Sequence, residues 1–94
     1  MFIRVINWRV KAESISRFEE LSNSARQQLT SIAGMQRCFS AVDESGNAVV
    51  VGVWESEDAA KKAQSAIQAI WASMSEHMSE QPRTAEYKKG YTLK

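Results

Sequence analysis

The sequence has very few of the residues that form disulfides and metal sites, with one cysteine, Cys38, and one histidine, His77, among 94 residues. A single cysteine excludes an intramolecular disulfide and any cysteine-only metal site, and it suits a reducing compartment. We therefore expect a cytoplasmic protein without a metal site. Basic and acidic residues nearly cancel, at 12 against 11 with a net charge of +1. No charge excess thus attracts the chain to nucleic acid or to anionic lipid.

Long apolar runs are also missing from the sequence. Arg4 and Arg9 interrupt the apolar N-terminal stretch, which leaves neither the core of a signal peptide nor the length of a membrane span. We expect no membrane partner. At this length we expect one domain over residues 1–94, near the lower end of the sizes that bury an adequate core without staples.

The first third of the sequence shows two clear periodicities. Phe2–Val10 is rich in β-branched and aromatic residues, and it predicts a strand with two largely apolar faces. From Ser14 to Ser31 apolar residues recur at helical spacing, which predicts an amphipathic helix. Ser14 or Ser16 can cap its start, and Gly34 stands where a left-handed residue is wanted after its end.

The remaining two thirds predict a hairpin, a helix and a strand. Met35–Val42 and Ala48–Trp54 are apolar runs that flank the turn-forming sequence DESGN. Ser56 caps a second amphipathic helix, which we expect to end at Pro82. Arg83–Leu93 then predicts the last strand.

The predicted order of strand, helix, strand, strand, helix, strand is typical of a ferredoxin-like α+β fold with a four-stranded antiparallel sheet. Two helices can cover only one face of that sheet. The valine-rich stretch AVVVGVW is apolar on both faces, so an apolar face stays bare in a monomer. We therefore expect a homodimer that joins through sheet faces.

The same order, Gly34 before the hairpin, and above all the stretch VGVWESEDAA resemble the antibiotic biosynthesis monooxygenases, which are dimeric α/β barrel proteins. The resemblance covers essentially the whole chain. It implies a ferredoxin-like domain, a homodimer, and a ligand between the sheet and the helices of one subunit. Members of that family include cofactor-independent oxygenases of phenols and quinols, haem-degrading oxygenases, isomerase-like relatives and proteins of unassigned activity.

The haem-degrading members carry an asparagine in the first strand, then a tryptophan and a histidine on the second helix. Asn7 matches the first position. Trp71 and His77 are closer together than the family pair, and small residues such as Ala63 stand where the family tryptophan is expected. We therefore expect no bound cofactor, and haem, although possible, is not favoured.

Asn7 and His77 are the predicted catalytic residues. Asn7 interrupts the apolar strand face of Ile3 and Val5, where a buried amide must be hydrogen-bonded or line a wet pocket. We expect that pocket between the helices and the sheet, lined by Asn7, Trp71 and His77. His77 falls within the apolar arc of the second helix, and histidine is the residue type that most often serves as a base or a ligand, although such histidines are often simply packed. Arg4 and Arg37 could bind an anionic substrate, but we rank them below Asn7, and we interpret Cys38 and Trp54 as structural.

The predicted substrate-binding residues are Trp71, Ile67, Ile70, Met74, Ser22 and Tyr87.

Three functions compete at this stage. The first is a cofactor-independent monooxygenase of an electron-rich aromatic such as a quinol, and the others are a non-catalytic ligand-binding dimer and a haem-binding or haem-degrading protein. An RNA-recognition module shares the strand order, but its third strand needs aromatic residues where AVVVGVWE has valines. We exclude that module, and we expect a small aromatic substrate.

Overall fold

The computed structural model describes residues 1–94 and has the predicted ferredoxin-like order. Its strands form one antiparallel sheet in the order β2-β3-β1-β4. None of its helices has the length and apolarity that a membrane crossing requires. The elements are β1 (Phe2–Val10), a 3-10 segment (Ala12–Arg17), α1 (Phe18–Leu29), β2 (Met35–Val42), β3 (Asn47–Trp54), α2 (Glu57–Lys62), α3 (Gln64–Ser73), a second 3-10 segment (Ser75–His77) and β4 (Met78–Tyr87).

The pairing register assigns every strand residue to one of two sheet faces, because directly opposed residues point the same way. The helix face, against which the helices pack, carries Phe2, Ile6 and Trp8 of β1, and all three are buried. The open face has no helix on it. Its residues are Ile3, Val5, Asn7 and Arg9 of β1, Asn47, Val49, Val51 and Val53 of β3, Arg37, Phe39 and Ala41 of β2, and Glu80, Arg83, Ala85 and Tyr87 of β4.

The core on the helix face is divided into two clusters. Phe2, Trp54 and Ala60 form one cluster, and Trp8 with its neighbours forms the other. The helix-face residues of β1 between the two clusters are Arg4 and Ile6, which leaves the middle of the layer between sheet and helices loosely filled. The cavity described below occupies this gap.

The second helical region differs from the prediction of one helix ending at Pro82. It breaks at Ala63 into α2 and α3, and α3 ends at Ser73. Pro82 lies inside β4, at the irregularity where the β1–β4 register shifts, and the strand ends at Tyr87 rather than Leu93. A proline commonly ends a helix, but an edge strand with a bulge also tolerates it because its missing N–H need not pair. Ser56 caps α2 as predicted, its Oγ accepting from the Ala59 N–H at 3.1 Å.

The start of the first helical region is also different. The segment around Ser14 is a 3-10 turn, and α1 begins only at Phe18 without a side-chain cap. Ser14 is buried at 5% exposure and its hydroxyl contacts His77, so it does not cap the helix. Gly34 has the predicted left-handed backbone, with φ at +85°.

The β2–β3 hairpin is closed by the Asp43 carboxylate. Its Oδ1 accepts from the backbone N–H groups of Ser45 and Asn47, each at 2.9 Å, and its Oδ2 accepts from the Asn47 amide at 3.0 Å. These bonds, the Asn47 side chain first, hold the pKa of Asp43 below its ordinary value of 3.8. Gly46 completes the turn with φ at +91°.

Asp43→Ala is expected to destabilise the fold at neutral pH, because it removes three acceptor contacts. A carboxyl whose pKa is lowered by folding stabilises the fold above its unfolded value, and that stabilisation is lost as pH falls through the folded pKa. The difference in unfolding free energy between wild type and variant should therefore shrink as pH falls below 3.8. Urea melts across that range measure it. Glu44→Ala, at an exposed position of the same turn, is the matched control, and an Asp43→Ala deficit that does not change with pH would contradict the assignment.

Candidate functional site

A cavity of about 650 Å³ lies between the helices and the helix face of the sheet, and we call it the main cavity. Its volume is within the range of about 300 to 1,000 Å³ that holds small organic ligands. Gly52 of β3 lies in its floor, and the absence of a side chain there leaves room between the two core clusters. The other residues that line it are Arg4, Ile6, Trp8, Val50 and Trp54 of β1 and β3, Met35, Gln36, Arg37, Cys38, Phe39 and Ser40 of β2, Phe18, Leu21, Ser22, Ala25, Arg26 and Leu29 of α1, Thr30 and Ile32 after it, Ile67, Ile70 and Trp71 of α3, and Met74 just after α3.

Aromatic rings gather at one end of the main cavity. Trp8 stacks on Phe18 with ring centroids 6.0 Å apart, and it meets Trp71 edge to face at 5.4 Å. Such arrangements fix ring orientation, and they leave flat apolar surface for a further ring. This end of the cavity is suited to an aromatic ligand.

Polar groups lie along the β2 side of the main cavity. Ser22 of α1 and Ser40 of β2 have their hydroxyl oxygens 3.1 Å apart, which links the helix to the edge strand. Cys38 lies beside them, and burial raises the pKa of its thiol. A thiol with a raised pKa stays protonated near neutral pH and is a poor nucleophile. Ser22, Ser40 and Cys38 therefore offer neutral hydroxyls and a neutral thiol, and Arg26, Gln36 and Arg37 lie at the same side of the cavity.

Five of the six predicted substrate-binding residues line the main cavity. The α3 region supplies Ile67, Ile70, Trp71 and Met74, and α1 supplies Ser22. Tyr87 does not line it, since it pairs with Ile3 on the open face and is 54% exposed. Their role in substrate binding stays a prediction.

Asn7 is not in the predicted pocket. It is exposed on the open face, opposite Val49 of β3 and Arg83 of β4. The expectation that it faces the helices is wrong, because the other face of β1 carries the large side chains that pack under them. A catalytic role for Asn7 stays a prediction, and its position does not bring it to the cavity.

His77 is also outside the lining of the main cavity. It lies in the second 3-10 segment with its side chain 12% exposed, and its Nδ1 is 2.9 Å from the Ser14 hydroxyl. Its Nε2 is 3.4 Å from a carboxylate oxygen of the neighbouring Glu76. The contact with Ser14 lets the imidazole link the two 3-10 segments.

These positions do not fit haem ligation by His77. An axial histidine must reach the haem in its ligand cavity, whereas His77 does not line the main cavity. The structure also contains no cluster of three or more histidine, cysteine, aspartate or glutamate side chains that could hold a metal ion.

Two polar groups in the wall of the main cavity, on Trp8 and Arg4, are not among the predicted site residues. The Trp8 indole N–H is the one buried side-chain polar atom without a hydrogen-bond partner. Arg4 places a guanidinium among the apolar side chains on the helix face of β1, and its side chain is only 12% exposed. Its place in the alternation of β1 is visible in the sequence, but the cavity beside it is not.

The comparisons with known proteins agree with this fold. The family model for antibiotic biosynthesis monooxygenases matches residues 1–81. No curated protein matches the sequence. A Deinococcus radiodurans structure named as a candidate antibiotic biosynthesis monooxygenase superimposes with a TM-score of 0.80 at 13% identity, covering 100% of this chain and 97% of that one.

Two further solved structures have the same architecture. A Caulobacter crescentus protein, also named as a candidate antibiotic biosynthesis monooxygenase, gives a TM-score of 0.80 at 18% identity, with 96% and 90% of the two chains covered. A mutant of SnoaB, described as a cofactor-independent oxygenase from Streptomyces nogalater, gives 0.75 at 14% identity, with 98% and 95% covered. Likeness at these identities establishes the fold, and the family match over most of the sequence shows that this chain belongs to the antibiotic biosynthesis monooxygenases.

Proposed function

We propose that this chain is a homodimeric, cofactor-independent monooxygenase that oxidises an electron-rich aromatic compound such as a quinol or an anthrone. The observation that carries the proposal is the main cavity, which lies between helices and sheet and has aromatic rings at one end. The family match supports the reaction class, as does the likeness to a fold relative described as a cofactor-independent oxygenase.

In this chemistry the substrate supplies the electrons. A deprotonated phenol or anthrone reacts with O₂, and for a methylene centre R₂CH₂ and O₂ give R₂C=O and H₂O. The chain's own contribution is to bind the ring system against Trp8 and Trp71, to exclude water and to stabilise the anion. No histidine, aspartate or glutamate lines the main cavity. The substrate must therefore ionise readily, with its proton passing to solvent.

A non-catalytic ligand-binding dimer is the alternative, and the lack of a general base in the cavity lining favours it. The two functions predict the same binding and differ in oxygen consumption. A panel of quinols and anthrones, followed with an oxygen electrode and compared with their rate of spontaneous oxidation, separates them. Binding without accelerated uptake would support the alternative.

Ala25→Trp is expected to weaken ligand binding and any oxygen uptake by about tenfold or more, which corresponds to about 1.4 kcal/mol of lost contact. Ala25 lines the main cavity from α1, and the indole would occupy ligand space. Occupancy can be read from the rate of Cys38 alkylation, measured by mass spectrometry, because Cys38 lines the same cavity and a ligand should protect it. Ser24→Trp, at an exposed position one residue earlier, is the control. Equal ligand protection in both variants would place the ligand elsewhere.

The homodimer is supported by the open face. Ile3, Val5, Val51 and their neighbours form a contiguous apolar surface, and only 12 of 94 residues are buried in the single chain. A second copy that covers this face would form the dimeric α/β barrel. Large exposed apolar patches on soluble proteins commonly mark such interfaces.

Val51→Lys is expected to give a monomer, because it places an unpaired charge in the middle of the open face. Analytical ultracentrifugation should give twice the chain mass of 10.6 kDa for the wild type and 10.6 kDa for the variant. Ala72→Lys, at an exposed position on α3, should remain dimeric. A wild-type monomer at micromolar concentration would overturn the proposed interface.

We also expect no tight, stoichiometric haem binding with a histidine-ligated spectrum, because His77 is held by Ser14 and lies outside the main cavity. Haem titration followed by absorbance tests this. A sharp Soret band that disappears in His77→Ala would contradict it. Unchanged spectra in wild type and variant would leave the cofactor-independent proposal standing.

A further inference from the structure

Arg4 is the one charged residue on the helix face of β1, which is otherwise apolar. Its neighbours on the helix face of β1 are Phe2 and Ile6, both buried, and its side chain is 12% exposed. Glu86 stands directly opposite on β4. The Arg4 Nε and Nη2 both donate to Glu86 Oε2, at 3.0 and 2.9 Å, and the guanidinium carbon lies 5.7 Å from the Phe2 ring centroid.

The remaining donors of Arg4 have no protein acceptor. A guanidinium has five N–H groups in a fixed plane, and Glu86 occupies only the edge formed by Nε and Nη2. No hydrogen bond is formed by Nη1. That atom is also not sealed in the interior, since the one sealed side-chain polar atom without a partner is Trp8 Nε1. Nη1 therefore keeps access to space that a ligand can reach.

That space is the main cavity and a groove beside it. The side groove, of about 530 Å³, lies between the helices α2 and α3 and strand β4. Arg4 is the one charged residue that lines both the main cavity and the side groove, and Lys61 lies further out in the groove. The side-chain cation of Arg4 thus stands at the junction of an apolar, aromatic compartment and a polar one.

Stability alone does not account for Arg4. A buried ion pair contributes little compared with an apolar pair of the same size, because desolvation offsets the attraction. A desolvated, oriented guanidinium, in contrast, binds an oxyanion strongly and with defined geometry. Glu86 orients the group from the β4 side, and it is 47% exposed, so that water partly screens its charge.

We propose that Arg4 is the anion-recognition residue of the site and binds an ionised oxygen, carboxylate or phenolate, of an aromatic ligand in the main cavity. The inference rests on the proposed function and deepens it, because it makes the substrate an aromatic anion. It also explains how a substrate could ionise in a cavity whose lining contains no carboxylate or histidine to act as a base. A cation that favours the ionised form of the substrate lets the proton leave to solvent.

The test compares two probes of the same shape, 2-naphthoate and its neutral amide, by isothermal titration calorimetry on the full-length protein. The wild type should bind the carboxylate about tenfold or more tightly than the amide, the contribution of a charge-assisted hydrogen bond. Arg4→Gln combined with Glu86→Gln removes both charges and keeps similar side-chain sizes. This double variant should lose the preference while its affinity for the amide is unchanged. Lys61→Gln is the control for a cation that is 67% exposed, and it should keep the preference.

A second variant keeps the proposal falsifiable if the double variant does not fold. Glu86→Gln alone removes the competing carboxylate and should raise affinity for naphthoate and not for the amide. No carboxylate preference in the wild type, an equal preference in the double variant, or no naphthoate binding at all would overturn the proposal. These readouts involve no turnover. If no quinol is oxidised, the monooxygenase proposal fails. The role of Arg4 is then still decided by the preference for naphthoate over its amide.

Discussion

The structure depends on a mismatch between one sheet and the helices available to cover it. Strands β1 and β3 are apolar on both faces, yet the helical segments of this short chain pack against one face. The larger side chains, Trp8 and Trp54, lie on that face and are almost fully buried. Because these bulky residues stand near opposite ends of the sheet, they separate the helices from its middle. The cavity and the bare apolar face both follow from this distribution of side-chain volume.

Much of the fold could be predicted because its signals are local. Strand alternation, helical spacing and turn residues identified β1, the β2–β3 hairpin and the cap at Ser56. Alternation also grouped Asn7 correctly with Ile3 and Val5. It could not say which group meets the helices, since both faces of β1 are apolar and a period of two is symmetric between them. The volume of Trp8 decides the question, and its effect appears only once the helices are packed.

The lining of the main cavity could be predicted where helical spacing governs it, and it could not be predicted where distant segments meet. Ile67, Ile70, Trp71 and Met74 lie along one arc, so their common orientation toward the cavity follows from the helix period. The contact of Ser14 with His77 joins residues 63 positions apart, and neither local sequence predicts it. Pro82 misled the prediction for a related reason. Its effect depends on whether the strand has a neighbour on both sides, which is a property of the sheet and not of the residues around it.

The distribution of tryptophan has a consequence for how the protein can be observed. The chain has three tryptophans, Trp8, Trp54 and Trp71, and all three line the main cavity. Intrinsic indole emission therefore originates entirely from the wall of one compartment, without a background from surface indoles elsewhere. Changes in its wavelength or intensity report hydration and occupancy of that compartment directly. The unlabelled protein thus carries its own optical probe at the place where its chemistry is proposed to occur.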